Sequence, residues 1–224
     1  MKKATQWAVL ALAGMAVGTQ AEIISTFDTD AQGWTIADNA NPADESSTGL
    51  PIFHSGAGNP GGFISLPMDW TLPGFFVAPS AYLGDQSSMA GGTVSVDRIV
   101  AEPRVAVDPY QIDYSVDITM TGVGSSVILG ADLNTVDVDL WKTQSVAFDA
   151  TGGWFHLDTG IAATNTEIAA VLASLDDIRV RGNLNGVGGA IGIDNFRFTP
   201  VPTPGSMLVL GFGGALCAVR RRRH

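Results

Sequence analysis

The segment YQIDYSVDITM, Tyr110 to Met120, switches between apolar and polar residues at nearly every step. A period of two puts Ile112, Tyr114, Val116, Ile118 and Met120 on one face of an extended chain and Gln111, Asp113, Ser115, Asp117 and Thr119 on the other. That is the pattern of a half-buried antiparallel strand. Shorter runs repeat it: Val94 and Val96 in TVSVD, Val136, Val138 and Leu140 in TVDVDL, Ile178 and Val180 in DDIRVRG. With Gly, Asn and Pro turns between them, these runs predict an all-β sandwich. One segment departs from the pattern. TNTEIAAVLASLDD spaces Ile168, Val171, Leu172 and Leu175 helically and opens on a Thr164/Glu167 capping box, so a helix is expected to cap one end of the sandwich. In GAIGIDNFRFTP the apolar phase shifts between Ile191/Ile193 and Phe196/Phe198, which predicts a bulge near Asp194 or Asn195. Trp34 and Trp154, each following a glycine in strand-like context, are expected in the core.

The two ends of the chain are of another kind. Lys2 and Lys3, an apolar stretch and then Thr19 and Ala21 give the charge, apolar, small-residue order of a signal peptide cleaved by signal peptidase after Ala21. Residues 1–21 are therefore read as a leader and 22–199 as the folded domain. Residues 200–224 form a tail: a Pro-containing spacer, an uncharged run from Gly205 to Val219 and the cluster Arg220, Arg221, Arg222 and Arg223. As a helix that run would be roughly 22 Å long against a hydrocarbon core of roughly 30 Å, so insertion is marginal. The arginines hold its end on the cytoplasmic side, which places the domain across the membrane. Nucleic acid is excluded as a partner. Of 12 Lys and Arg, Lys2, Lys3 and the four terminal arginines leave six for a body that carries 22 acidic residues, and such a body repels a polyanion. The single cysteine, Cys217, lies in the apolar tail as a filler or a lipidation site, so the body has no internal disulfide.

Val201-Pro202-Thr203-Pro204, the glycine-containing apolar run and the terminal arginines together resemble the PEP-CTERM sorting signal of Gram-negative bacteria. Thr203 stands where that family usually has glutamate. The resemblance implies removal of the tail by an exosortase-type enzyme, transient anchoring in the inner membrane and delivery to the cell surface or beyond. A second resemblance covers roughly Ser25 to Phe198. STFDTDAQGW, PGGFISL, FFVAPSAYLGDQSSMAGGTVSVD, LASLDDIRVRG and IGIDNFRF follow one another as in the laminin B domain, also called laminin IV type A. It implies a jelly-roll sandwich similar to galactose-binding-like and carbohydrate-binding modules, used as a matrix building block without catalytic activity. The cysteine-rich modules that flank the domain in laminins are missing here.

Few residues suggest chemistry. Only His54 and His156 remain in the body, with no HExxH and no GxSxG. Asp113, Asp117, Asp137 and Asp139 fall at outward strand positions, where a solvated face that resists aggregation is expected. No enzyme is expected. The domain is acidic and exported, conditions under which a structural calcium ion finds oxygen ligands. The resemblance to jelly-roll carbohydrate modules implies Asp28, after Phe27, and Asp194, in the last strand, as its ligands. Alternatively Asp28 and Asp30 close an Asx turn and Asp194 satisfies backbone amides. Trp70 in MDWTLPG and Trp141 in DLWKT lie among polar or turn residues, as candidates for stacking on a sugar or for packing under a loop. The function expected is that of a non-catalytic structural or adhesive surface or matrix component. The alternatives are a lectin-like module binding exopolysaccharide on its concave sheet and, behind it, a surface glycoside hydrolase.

Overall fold

Each alternating run that falls within the described residues forms a strand. The computed structural model describes residues 21–67, 74–104, 116–133, 140–182 and 188–202. In chain order the elements are β1 (Ile23–Ser25), β2 (Thr35–Ala37), β3 (Thr48–Gly49), β4 (Ile52–His54), β5 (Phe63–Ser65), β6 (Phe75–Val77), β7 (Thr93–Arg104), β8 (Ile118–Gly122), β9 (Ile128–Ala131), β10 (Lys142–Ala147), β11 (Phe155–His156), α1 (Asn165–Leu172), β12 (Leu175–Arg181) and β13 (Gly188–Thr199). Among the described residues they build two antiparallel sheets. One has the order β10-β7-β13-β5-β4, with β1 also paired to β13; the other runs β11-β9-β8-β12-β6-β2-β3. The expected all-β sandwich with one helix is what these residues form. Ala21–Val201 is one compact unit.

The core lies between the sheets. Val94, Val96, Ile191, Ile193, Phe196 and Phe198 from the β13 sheet pack against Ile118, Met120, Leu129, Ile178 and Val180 from the β12 sheet. Trp34 and Trp154 are buried as expected. The Trp34 indole donates to Ser25 Oγ at 3.0 Å, and Tyr82 donates to the Phe196 carbonyl at 2.8 Å, so the polar ends of both rings are satisfied inside. The predicted bulge is present. The β13–β7 register shifts between Asp194 and Arg197, with Asn195 at φ +46°. That extra residue returns Phe196 and Phe198 to the inner face and so joins two apolar phases in one strand.

Helix α1 carries the capping box and buries Ile168, Val171 and Leu172. It stops short of the expected span, because Leu175 opens β12 and pairs with Gly122. The strand at Ile118 also corrects the reading of one apolar face. All five residues of β8 are buried, so the strand is covered on both sides. Val116 does not share the face of Ile118 and Met120; it joins a small cluster with Ala40 and Phe75. Asp117 is not a solvated outward residue: it turns toward Arg98, with Oδ1 3.1 Å from Nη2, and Oδ2 accepts the Leu133 amide at 2.9 Å. The desolvated Arg98 guanidinium, 1% exposed, is what draws it in. Residues 1–20, 68–73, 105–115, 134–139, 183–187 and 203–224 lie outside the described residues, and with them Thr19, Trp70, Asp113, Asp137, Asp139, Thr203, Pro204 and the terminal arginines. Among the described residues no helix is long and apolar enough to cross a membrane.

Candidate functional site

Strand alternation sends Ile191 and Ile193 inward, so Asp194 starts on the outer face of the β13 sheet, beside Asp97 of β7. It is nevertheless fully buried. The cover is the loop of residues 55–62 between β4 and β5, whose glycines let the backbone lie against the sheet. Asn59 donates its amide to Asp194 Oδ2 at 2.6 Å and its side-chain Nδ2 to Asp97 Oδ2 at 3.1 Å. The bulge residue Asn195 closes the arrangement from below. Its amide donates to Asp194 Oδ1 at 2.7 Å, and its side chain donates to Asp97 Oδ2 at 2.9 Å and to the Asn59 carbonyl. Thr143 donates to Asp97 Oδ1 at 2.5 Å.

Asp28 reaches the same loop from the end of the first strand. Its Oδ2 accepts Thr26 Oγ1 at 2.8 Å. Gly61 has φ +92°, and a Cβ there would fall 2.1 Å from Asp28 Oδ1; a Cβ on Gly58 would fall 2.9 Å from Asp194 Oδ2. Gly61 is held to glycine by its positive φ and the Asp28 carboxylate, and Gly58 first by the Gly62 carbonyl, 2.1 Å from such a Cβ, with the Asp194 carboxylate behind it.

Burial pushes the Asp194 carboxyl up to about 6; the neighbouring charges of Asp97 and Asp28 add to the rise, and the amides of Asn59 and Asn195 oppose it. The donors described around these oxygens are hydroxyls and amides, none of which cancels charge. The calcium expectation meets a mixed donor set here. The oxygens are hard, as Ca²⁺ requires, and the Phe27 and Asn59 carbonyls lie at the same loop. Among the described residues, however, no group of three or more His, Cys, Asp and Glu side chains is arranged to hold a metal ion. A cation fits only by drawing much of its shell from backbone carbonyls and water, around Asp28 and Asp194. The Asx turn falls to Asp30, which accepts the Gln32 amide at 2.7 Å.

The other sequence candidates are dispersed. Trp141 is half-buried under the 55–62 loop; its Nε1 donates to the Ala57 carbonyl at 2.9 Å and its ring meets Phe63 edge-on at 5.4 Å. Trp70 lies outside the described residues. His156 pairs with Glu167 at 3.1 Å, and His54 lies within hydrogen-bond distance of Ser65 Oγ at 2.8 Å, stacked on Phe63. Ala21 is exposed ahead of β1, and Val201 and Pro202 are exposed after β13. Sequence reasoning missed Asp97 and Asn59, and marked Asn195 only as a bulge position, without its contacts to Asp97 and the Asn59 carbonyl. The signal for Asn59 was the glycine density of SGAGNPGG, which marks a loop but not what it covers.

A model of the Laminin B (Domain IV) family matches residues 75–202, more than half of the 224. The chain belongs to the Laminin B family. The match takes in β6 through β13, and with them Asp97, Asp194 and Asn195. Among solved structures, the L4b domain of human laminin α-2 is similar with a TM-score of 0.58 and 12% identity, over 80% of this chain and 97% of that one. At that identity the likeness concerns the fold. A family 11 carbohydrate-binding module from a cellulosomal cellulase of Clostridium thermocellum aligns with a TM-score of 0.46 and 14% identity, over 82% of this chain and 97% of that one. The K1 cleaved adhesin domain of Lys-gingipain from Porphyromonas gingivalis aligns with a TM-score of 0.39 and 10% identity, over 82% and 100%. A search of curated proteins found no match.

Proposed function

We propose that this Laminin B chain is an exported, non-catalytic structural or adhesive component of the cell surface or extracellular matrix. Signal peptidase trims its leader and an exosortase-type enzyme its tail. Family membership is the observation that carries the reading. Its placement outside the cell is supported by the leader around Thr19 and Ala21 and by the order Pro-Thr-Pro, apolar run, Arg220 to Arg223. A non-catalytic role is supported by how the described carboxylates are engaged: Asp117, Asp177 and Glu45 pair with arginines, while Asp97 and Asp194 are sealed beneath a loop. A structural calcium ion held by Asp28 and Asp194 belongs to the proposal; it would neutralise charge under the 55–62 loop. Carbohydrate binding is the second reading, favoured by the aromatic group at Trp141, with exopolysaccharide or envelope glycans as partners.

Mass spectrometry of the protein recovered from its cells tests the export route. The reading expects a mature chain starting at Glu22 and ending near Pro204, in the surface or medium fraction. Uncut full-length chain in the cytosol overturns it.

A further inference from the structure

We propose that the outer face of the β13 sheet binds a neutral polysaccharide, laid across the strands over Ile52, His54, Phe63, Ile99 and Trp141. Strand register assembles this strip. Ile52 stands opposite Ser65, Ser65 opposite Gly192, and Gly192 opposite Ile99. Lys142 pairs with Arg98, so Trp141 stands level with Ile99 on β10's side. The missing side chain of Gly192 makes the strip continuous. A Cβ there would fall 2.8 Å from the Phe63 ring and 3.0 Å from Ile99, so these two close over the glycine. Phe63 is itself buried, 7% exposed, and supports its neighbours on either side, His54 stacked at 4.2 Å with an 8° interplanar angle and Trp141 edge-on at 5.4 Å, which are half-buried and present the accessible aromatic surface. Five strands spaced about 4.8 Å apart make the strip roughly 19 Å long.

The chemistry of the strip selects its occupant. A sugar ring offers apolar C–H faces and hydroxyl edges, and it binds where aromatic and aliphatic surface is flanked by hydrogen-bonding groups. Exposed Thr143 and Asn59 lie along the side of the strip nearer the bulge. The hydrogen bond from Trp141 Nε1 to Ala57 fixes the indole in place, which lowers the ordering cost of binding. The chain carries a net charge of −10, and this field repels anionic polymers whether or not a cation sits beneath the loop. A protein partner fits poorly. Only Ile52 of the five is more than a third exposed, far short of the roughly 800 Å² per partner that a stable interface buries.

The inference deepens the second reading above, and its test is independent of where the chain resides, since it uses purified protein. The full chain is titrated calorimetrically with cellohexaose, mannohexaose and xylohexaose, and with hexagalacturonate as the anionic contrast. At least one neutral probe is expected to bind. Ile52→Glu and Trp141→Ala are each expected to weaken it about tenfold or more, and hexagalacturonate is expected not to bind. Ile52 sits on an edge strand and is 40% exposed, so Ile52→Glu reads the face without the loop contact that Trp141→Ala removes. The proposal is overturned if no neutral probe binds, if Ile52→Glu binds as tightly as wild type, or if only hexagalacturonate binds. A concentration-dependent dimer that Ile52→Glu dissolves also overturns it, assigning the strip to a second copy of the chain.

Discussion

Around Arg98 and Arg179 the carboxylates of Asp117, Asp177 and Glu45 each face a guanidinium, whereas beneath the 55–62 loop those of Asp97 and Asp194 face hydroxyls, amides and one another. Arg98 bridges the sheets to Asp117 and also donates to Gln144 at 3.1 Å. Arg179 holds Asp177 at 2.8 Å, Glu45 at 2.8 Å and the Asn39 carbonyl at 2.8 Å, which pins the 38–47 segment across the β12 sheet. Here each of the three carboxylates has a guanidinium beside it. Asp97 and Asp194, buried there, are satisfied as hydrogen-bond acceptors but not as charges, while Asp28 at the edge of the loop is exposed to solvent. Their hydrogen bonds set geometry, while burial and the remaining repulsion favour the protonated Asp194 carboxyl; a cation in its place is what the calcium proposal adds.

Arg98→Met gives the largest expected effect, because it strands Asp117 with its charge unmet. A loss of about 3–5 kcal/mol is expected in urea unfolding, equal in EDTA and in CaCl₂. A loss below about 1 kcal/mol would show that the pair is not what balances the interior at this end.

The loop cluster should respond to pH instead. The folded-state value of Asp194, about 6, lies above its ordinary 3.8. Between these values the native state holds more proton than the unfolded chain, so stability falls as pH rises. The stabilising contribution is complete below about 3.8 and lost as pH passes 6. In EDTA the wild type should lose about 2–3 kcal/mol across this window relative to Asp194→Asn. Parallel pH profiles for the two proteins would remove the repulsion from the account.

Gly61→Ala should cost about 1–2 kcal/mol, from its positive φ and from the collision with Asp28. An unchanged midpoint would mean that the loop does not press on that carboxylate. Thr164→Ala, at the capping box that Thr164 forms with Glu167, should cost about 1 kcal/mol and leave the pH profile unchanged. A shifted profile would show the helix coupled to the loop.

Local pattern predicts the balanced parts of this molecule better than the unbalanced one. Val94, Val96, Ile178 and Val180 follow from a period of two, Ile168 to Leu172 from the capping box, and the bulge at Asn195 from a phase shift within one strand. Each is a relation among near neighbours. The misassignments come from distant partners. Asp117 reads as a solvated outward residue until Arg98 arrives from the other sheet. Leu175 fits a helical spacing, yet pairing with Gly122 draws it into β12. That Asp28 and Asp194 lie at one loop was suggested only by resemblance to a fold. Asp97 and Asn59 were not legible at all, because Asn59 meets Asp194 across 135 residues and nothing nearby in the chain announces the contact.

Thermal unfolding of the full chain near pH 7, in EDTA and in excess CaCl₂, tests most directly whether the loop cluster is a cation site. A ligand that binds only the native state at a hundredfold over its Kd stabilises by about 2.7 kcal/mol. The wild-type midpoint should therefore rise by several degrees with calcium, and Asp28→Asn and Asp194→Asn should each abolish the rise. Superimposable wild-type melting curves in EDTA and CaCl₂ would contradict the account.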